Sequence, residues 1–295
     1  MLKLVLPTGS LEKPTLEVFE AADLPVVCLN SRSYRGEIDD PRISSVRFMR
    51  PQEIPAYVAE GVFDMGICGL DWIMEQGCLD RVVRLAPLCY SRSTNRNVKI
   101  VVAVHKDSGI SDPRQIPPGS KVTTEYVALT ERYFRKLGIP VRVEFSYGTT
   151  EAKVPDMADV AVELTERGTT LRANNLKVID VVAESETTLI ANSQCLQDPD
   201  KRSAVEAIKT LLLGAVEARG KVLLKLNVAK KDLSAVLELM PALKAPTVGQ
   251  LYGSEGEFFA VESVVEKQGI NVLIPQLVEA GAEDILVLPI TKIIR

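Results

Sequence analysis

The stretch Ala158-Asp-Val-Ala-Val-Glu-Leu-Thr-Glu-Arg-Gly-Thr-Thr-Leu-Arg172 decides more of the fold than any other. Val160 to Leu164 form an apolar run of strand length, and the polar residues after it predict a sharp turn into a helix starting near Thr170 and Leu171. Gly168 permits backbone angles that other residues resist. The N–H groups of Gly168 to Leu171 stand at that helix start, where no intrahelical acceptor reaches them and an anion is favoured. Thr169 and Thr170 add hydroxyl donors. The turn Thr165, Glu166, Arg167, Gly168, Thr169, Thr170 and Leu171 therefore suits a terminal phosphate monoester. If a sugar phosphate occupies the turn, Glu163, just before it, can accept hydrogen bonds from ribose hydroxyls and stabilise positive charge growing on the sugar ring. A second reading makes the same residues a capping box, with Thr165 or Thr169 as N-cap and a glutamate nearby. Neither GxxxxGK[ST] nor GxGxxG is present, which disfavours a Walker A loop and a dinucleotide fingerprint.

Working outward, Tyr57-Val-Ala-Glu-Gly-Val-Phe-Asp64-Met-Gly-Ile-Cys-Gly69 resembles Val154 to Gly168. In both, an aspartate starts an apolar strand that ends in a glycine-containing turn before a helix. The pair predicts two similar α/β lobes facing a cleft. Alternating strands (2–6, 26–29, 46–50, 65–68, 99–104, 121–124, 141–145, 159–164) and helices (13–22, 53–61, 70–76, 127–137) agree with α/β spacing. Residues 31–45 read as a polar loop or hairpin. After a polar break at 197–204 comes a long helix, Lys201 to Gly220. The remainder reads strand, helix, strand, strand, helix, strand, the ferredoxin-like order, with its second helix expected at Ile274 to Ala280.

At 295 residues the chain is at the upper limit of what a single core ordinarily fills, so two or three domains are expected. A formal net charge of −4, with both signs mixed, argues against a general nucleic-acid binder. No run reaches the ~20 apolar residues of a membrane span, and the short apolar start soon meets Pro7 and Gly9 rather than a signal-peptide core. The five scattered cysteines contain no CxxC pair and read as reduced thiols of a cytoplasmic protein. The one histidine, His105, ends an apolar strand and is read as structural, which excludes any mechanism needing two histidines.

At the loop the resemblance becomes specific. It resembles the signature of the ATP phosphoribosyltransferase family, which opens histidine biosynthesis. In that family an acidic residue, a spaced glycine and Thr-Leu hold the 5′-phosphate of phosphoribosyl pyrophosphate (PRPP). Similar segments follow one another along the whole chain: Leu6-Pro-Thr-Gly-Ser-Leu11, Asp40-Pro-Arg-Ile43, Arg50-Pro-Gln-Glu-Ile-Pro55, Asp64 to Trp72, Thr124-Glu-Tyr126 and Leu189-Ile-Ala-Asn192. The C-terminal part, with Ala245-Pro-Thr-Val248, resembles the regulatory domain of the long form. The resemblance implies an α/β fold of two periplasmic-binding-protein-like lobes (type II) plus a ferredoxin-like α+β regulatory domain. The implied division is residues 1–90 with 185–212 as the first lobe, 91–184 as the second with the phosphate loop, and 213–295 as the histidine-binding domain. It implies transfer of phosphoribosyl from PRPP to N1 of the adenine of ATP, Mg²⁺ as cofactor with no protein metal ligand assigned, and histidine as inhibitor. A homo-oligomer from dimer to hexamer is implied too.

Carried over by residue, Glu163 is the catalytic group and Thr165 to Leu171 hold PRPP. Gly9, Ser10, Arg32, Arg50, Asp71 and Thr124 face ATP or pyrophosphate, and Asn227 and Thr247 face histidine. Asp71 reads equally as a helix N-cap, and Asn227 and Thr247 as residues that satisfy strand ends. Two departures stand out: Thr8-Gly9-Ser10 where the family often has Lys-Gly-Arg, leaving Arg32, Arg47 and Arg50 to compensate, and Glu163 where it often has aspartate. Adenine N1 is a neutral nucleophile, so the absence of a catalytic histidine is no obstacle. Two other readings remain: a cytoplasmic two-lobed ligand sensor without catalysis, and a silent subunit needing a partner.

Overall fold

The computed structural model describes residues 1–28, 33–88, 98–243, 245–253 and 256–295. The chain forms two compact units, Met1–Thr210 and Leu211–Arg295. The first begins with β1 (Leu2–Pro7), a single 3₁₀ turn at Gly9–Leu11 and α1 (Glu12–Ala21). Next come β2 (Val27–Cys28), β3 (Arg35–Glu37) and β4 (Ile43–Met49), so the polar 31–45 segment is in part a hairpin strand. Then follow α2 (Ile54–Ala59), β5 (Met65–Gly69), α3 (Leu70–Glu75) and β6 (Val82–Pro87). After the residues outside the description come β7 (Val98–His105), β8 (Lys121–Thr124), α4 (Val127–Leu137), β9 (Arg142–Phe145), β10 (Val160–Thr165), α5 (Thr169–Ala173), β11 (Leu176–Ser185) and β12 (Thr187–Asn192).

Two sheets result, β2-β3-β4-β1-β5-β12-β6 and β11-β7-β10-β8-β9. The central run β4-β1-β5-β12-β6 and the second sheet read backwards, β9-β8-β10-β7-β11, share one pattern. Three strands are parallel, the fourth is antiparallel, and the fifth again runs with the first three. The fourth strands, β12 and β7, are those the chain adds as it changes lobes. This is the type II periplasmic-binding-protein arrangement that the resemblance implied.

The paired motifs are equivalent at atomic detail. Asp64 sits before β5 and its carboxylate accepts the Lys3 N–H of β1 at 2.8 Å, while Asp159 sits before β10 and accepts the Lys121 N–H of β8 at 2.8 Å. Each aspartate also donates its own N–H to the same neighbour's carbonyl, at 2.9 and 3.0 Å. One aspartate per lobe thus sets the register of a parallel pair that no hairpin could set. Each lobe has its own core: Val5, Ile54, Val58, Ile73 and Ile190 in the first, and Ile100, Val102, Val122, Phe134 and Val162 in the second. Gly138, with φ +73°, ends α4 in the left-handed conformation, where a side chain would be strained.

The helix α6 (Pro199–Ala218) leads into the second unit. There β13 (Lys221–Ala229), α7 (Leu233–Leu239), β14 (Thr247–Gln250), β15 (Phe258–Glu266), α8 (Ile270–Glu279) and β16 (Ala282–Pro289) make an antiparallel sheet in the order β14-β15-β13-β16. This is the ferredoxin-like arrangement. Its core faces one side of the sheet through Val222, Leu224, Leu226 and Val228. Helix α8 begins one turn earlier than expected. Gly269, at φ +89°, opens it, and Pro275 is accommodated inside rather than at its start. No described helix is long and apolar enough to cross a membrane.

Candidate active site

The carboxyl ends of β1, β4, β5, β8 and β10 open onto one cleft of about 1180 Å³. In parallel α/β sheets the crevice outside the carboxyl ends is where ligands bind, because the turns there are free to vary while the strands hold them in place. From the first lobe the cleft is lined by Thr8 to Glu12, Phe48 to Glu53, and Gly69, Asp71 and Trp72. From the second it is lined by Val98, Glu125, Tyr126 and the run Glu163 to Thr170.

The loop is held from behind and open in front. Leu171 is buried among Val101, Ala103, Ala161 and Leu176, so the first turn of α5 cannot drift. Gly168 takes φ +66° and is the N-cap residue, without any side-chain cap. Thr165 is therefore not the N-cap. Its hydroxyl folds inward and accepts the Gly168 N–H at 2.8 Å, which takes one amide out of the expected open set. The N–H groups of Thr169, Thr170 and Leu171 have no protein acceptor among the described residues; the first helical bond after them is Arg172 N–H to Gly168 O at 3.1 Å.

Glu163 is half-buried beside this loop. Burial pushes its carboxyl up to about 7, a shift partly offset by the Thr150 hydroxyl and the Leu164 N–H and reinforced by the negative charges of Glu125 and Glu151. Glu125 lies in the same wall. Burial raises its carboxyl too, against the pull of Lys153. A carboxylate with a neutral-range pKa in a cleft, facing a second carboxylate, has the electrostatics of a site that awaits positive charge.

Asp71 lines the cleft as a buried acid with two hydroxyl donors of its own. Gly69, not Asp71, is the N-cap of α3. Asp71 is 4% exposed, and its carboxylate accepts the Ser185 hydroxyl at 2.6 Å and the Tyr126 hydroxyl at 2.8 Å. Burial raises its pKa, and these two donors draw it partly back. Tyr126 comes from the other lobe and Ser185 from the end of β11, so the aspartate ties the lobes at the floor of the cleft. The tie extends along α3 and α4. Trp72 and Tyr126 pack with ring centroids 4.7 Å apart. Glu75 accepts the N–H groups of Ala128 and Leu129, both at 2.8 Å, and Arg132 donates to the Met74 carbonyl at 2.6 Å. An acid thus caps the start of α4 and a cation the end of α3, each from the opposite lobe.

Of the residues expected from sequence, the cleft brings together Gly9, Ser10, Arg50, Asp71, Glu163 and Thr165 to Thr170. Thr124 is not among them. It is fully buried, and its hydroxyl accepts the Tyr126 N–H at 2.9 Å, so the next two residues face the cleft instead. Arg32 lies outside the described residues. His105 stands apart from the cleft, next to Asp107. Asn227 and Thr247 share the face of the second unit's sheet that points away from its helices; the Asn227 amide donates to Asp284 at 2.9 Å, and Thr247 is exposed opposite Glu262. Sequence reasoning missed Glu125, Tyr126 and Ser185, although the Thr124-Glu-Tyr126 motif marked the right turn.

Residues 50–214 match the family described as ATP phosphoribosyltransferase (HisG), and residues 218–292 match the family described as HisG, C-terminal domain. The chain belongs to the ATP phosphoribosyltransferase family. The ATP phosphoribosyltransferase of Desulforudis audaxviator is 45% identical over 295 residues, 99% of each chain. That of Pelotomaculum thermopropionicum is 43% identical over 293 residues, again 99% of each. With the C-terminal domain present, this chain is a long-form ATP phosphoribosyltransferase, a transferase of the first step of histidine biosynthesis. Among solved structures, a chain of the HisG:HisZ ATP phosphoribosyl transferase complex from Thermotoga maritima superposes with a TM-score of 0.60 at 24% identity. It matches 72% of this chain and 99% of its own length, which supports the two-lobed fold.

Proposed function

We propose that the cleft transfers the phosphoribosyl group of PRPP to N1 of the adenine of ATP and releases pyrophosphate. One observation carries this reading: the Thr169, Thr170 and Leu171 N–H groups have no protein acceptor among the described residues, and Thr169 and Thr170 line the cleft beside Glu163, on the strand that leads into the loop. The amides hold the terminal phosphate of the sugar. Glu163, one loop length away, meets the ribose ring. As the bond from C1 to pyrophosphate lengthens, positive charge grows on the ring and the ionised carboxylate stabilises it. N1 attacks with its own lone pair, so the residues position and polarise rather than remove a proton.

Mg²⁺ supplies charge neutralisation on the departing pyrophosphate. Among the described residues no group of three or more His, Cys, Asp or Glu is placed to hold a metal. A cleft whose described residues form no such group would suit an ion held mainly by the polyphosphate of the substrate, with one or two carboxylates of this chain beside it. Glu125, which lines the cleft and makes no hydrogen bond among the described residues, is the carboxylate to meet it. Arg50 and Arg167, on facing walls, supply the cations for phosphate oxygens.

Histidine acts as inhibitor in this reading, at the open sheet face of the second unit that carries Asn227 and Thr247, and the chain works as a homo-oligomer. The HisZ partner of the Thermotoga maritima chain belongs to that protein. Here the attached C-terminal domain supports a self-sufficient chain. The test is direct: purified chain, ATP, PRPP and Mg²⁺, with and without histidine, followed by the absorbance of phosphoribosyl-ATP. No product from the single chain would sink the proposal.

A further inference from the structure

The reaction sets a recognition problem. Adenine must be distinguished from other bases, yet its N1 has to stay free to attack. Hydrogen bonds on the Watson–Crick edge would block N1. What remains is the opposite edge, with the N6 amino group as donor and N7 as acceptor. A carboxamide matches that edge in its own plane, its oxygen accepting from N6 and its nitrogen donating to N7. Carboxylates can do only the first, arginine and lysine only the second.

Gln52 is the one carboxamide among the described residues that line the cleft. It stands on the turn between β4 and α2, which is pinned by the Glu53 N–H donating to the Arg50 carbonyl at 3.0 Å and stiffened by Pro51. The turn therefore holds Gln52 next to Arg50, on the wall opposite the phosphate loop. Its Oε1 is shut off from solvent and accepts no hydrogen bond from the described residues. A buried amide oxygen without a donor is costly, and native structures leave few of them without a reason. The terminal torsion of glutamine is broad, so a small rotation turns the same oxygen from the wall into the cleft.

We propose that Gln52 reads the N6/N7 edge of the adenine of ATP and so fixes the base with N1 exposed to the sugar. Gln52 is then the residue that selects a 6-amino purine. This rests on the transferase reading above, and the experiment separates the two.

The first measurement is wild-type turnover of ATP with saturating PRPP. Failure there overturns the transferase reading and with it this one. With turnover established, kcat/KM is compared for ATP and 7-deaza-ATP, which keeps N1 and N6 but lacks the N7 acceptor, in wild type and Gln52→Leu. Gln52→Leu should lower kcat/KM for ATP by roughly tenfold or more, the usual worth of a bidentate amide–adenine pair, with KM for PRPP unchanged. The preference for ATP over 7-deaza-ATP should collapse in the variant to within about twofold of none. Comparing ratios between enzymes cancels any intrinsic difference in N1 reactivity between the two nucleotides. Gln52→Glu gives an independent reading if the leucine variant folds poorly. Its carboxylate still accepts from N6 but opposes the N7 lone pair, so it should favour 7-deaza-ATP over ATP. Equal losses on both nucleotides in Gln52→Leu, or an unchanged preference in Gln52→Glu, would overturn the assignment.

Discussion

Replacing Glu163 by glutamine should make the protein a worse enzyme and a more stable fold, and the second effect can be sized from the structure. Burial, with Glu125 and Glu151 nearby, lifts the folded-state pKa from an ordinary 4.5 to about 7. A carboxyl group with a raised folded pKa favours the fold in its protonated form. That contribution is complete below about pH 4.5 and is lost as pH rises through about 7. At roughly 1.4 kcal/mol per pH unit of separation, holding the ionised group costs about 3 kcal/mol at pH 8. Glutamine keeps the shape and removes the charge. Glu163→Gln should therefore match wild type near pH 4.5 and exceed it by up to about 3 kcal/mol at pH 8, several degrees in Tm for a unit this size. Thermal unfolding of both proteins between pH 5 and 8 measures the divergence. Activity should move the other way. kcat should fall by about 10²-fold, the usual loss when one preorganised charge partner of a transition state is removed. Wild-type kcat/KM should climb through pH 7 as Glu163 ionises, and the variant should lack that limb. A variant no more stable than wild type at pH 8 would refute the reasoning, since the carboxylate would then have no electrostatic penalty for chemistry to exploit.

Other perturbations test the remaining parts. Gly168→Val places a β-branched residue at φ +66°, a conformation costing about 1–2 kcal/mol for an ordinary side chain and more for valine. PRPP KM should rise at least about tenfold while ATP KM holds, and near-normal PRPP kinetics would dismiss the loop assignment. Tyr126→Phe removes one donor from the buried Asp71 carboxylate; the loss of stability should be about 1–3 kcal/mol and larger at pH 8 than at pH 5, because Asp71 is harder to keep ionised without it. Glu75→Ala uncovers the Ala128 and Leu129 N–H groups and should cost about 1–2 kcal/mol, read by denaturant unfolding; unchanged stability would dismiss the cap.

Much of the fold was legible because its signals are local. The apolar run Val160 to Leu164, the glycine of the loop and the repeated aspartate before a strand are short-range features, and the paired motifs did mark equivalent strands. Strand β11 was harder to see. Its pairing with β7 shifts register after Val178 and again after Val181, which breaks the alternation that a sequence reader looks for. The site was legible by segment rather than by side chain. Thr124-Glu-Tyr126 marked a turn at the cleft, but which member faces inward depends on the rotation of β8, and burial turned Thr124 away. Asp71 reads as a cap or as a substrate-facing acid, and no local pattern shows that Ser185, 114 residues later, and Tyr126 meet its two oxygens.

From the order of residues alone come the element periods, the lobe repeat and the donor-rich turn from Thr165 to Leu171, since each depends on neighbours within a turn or two. Only the tertiary structure decides that one loop amide is taken by Thr165, that Asp71 ties two lobes, that the Gln52 oxygen lacks a donor among the described residues, and that burial pushes the Glu163 carboxyl up to about 7. Burial and charge proximity are properties of what the chain brings together from distant positions, and no local pattern encodes them.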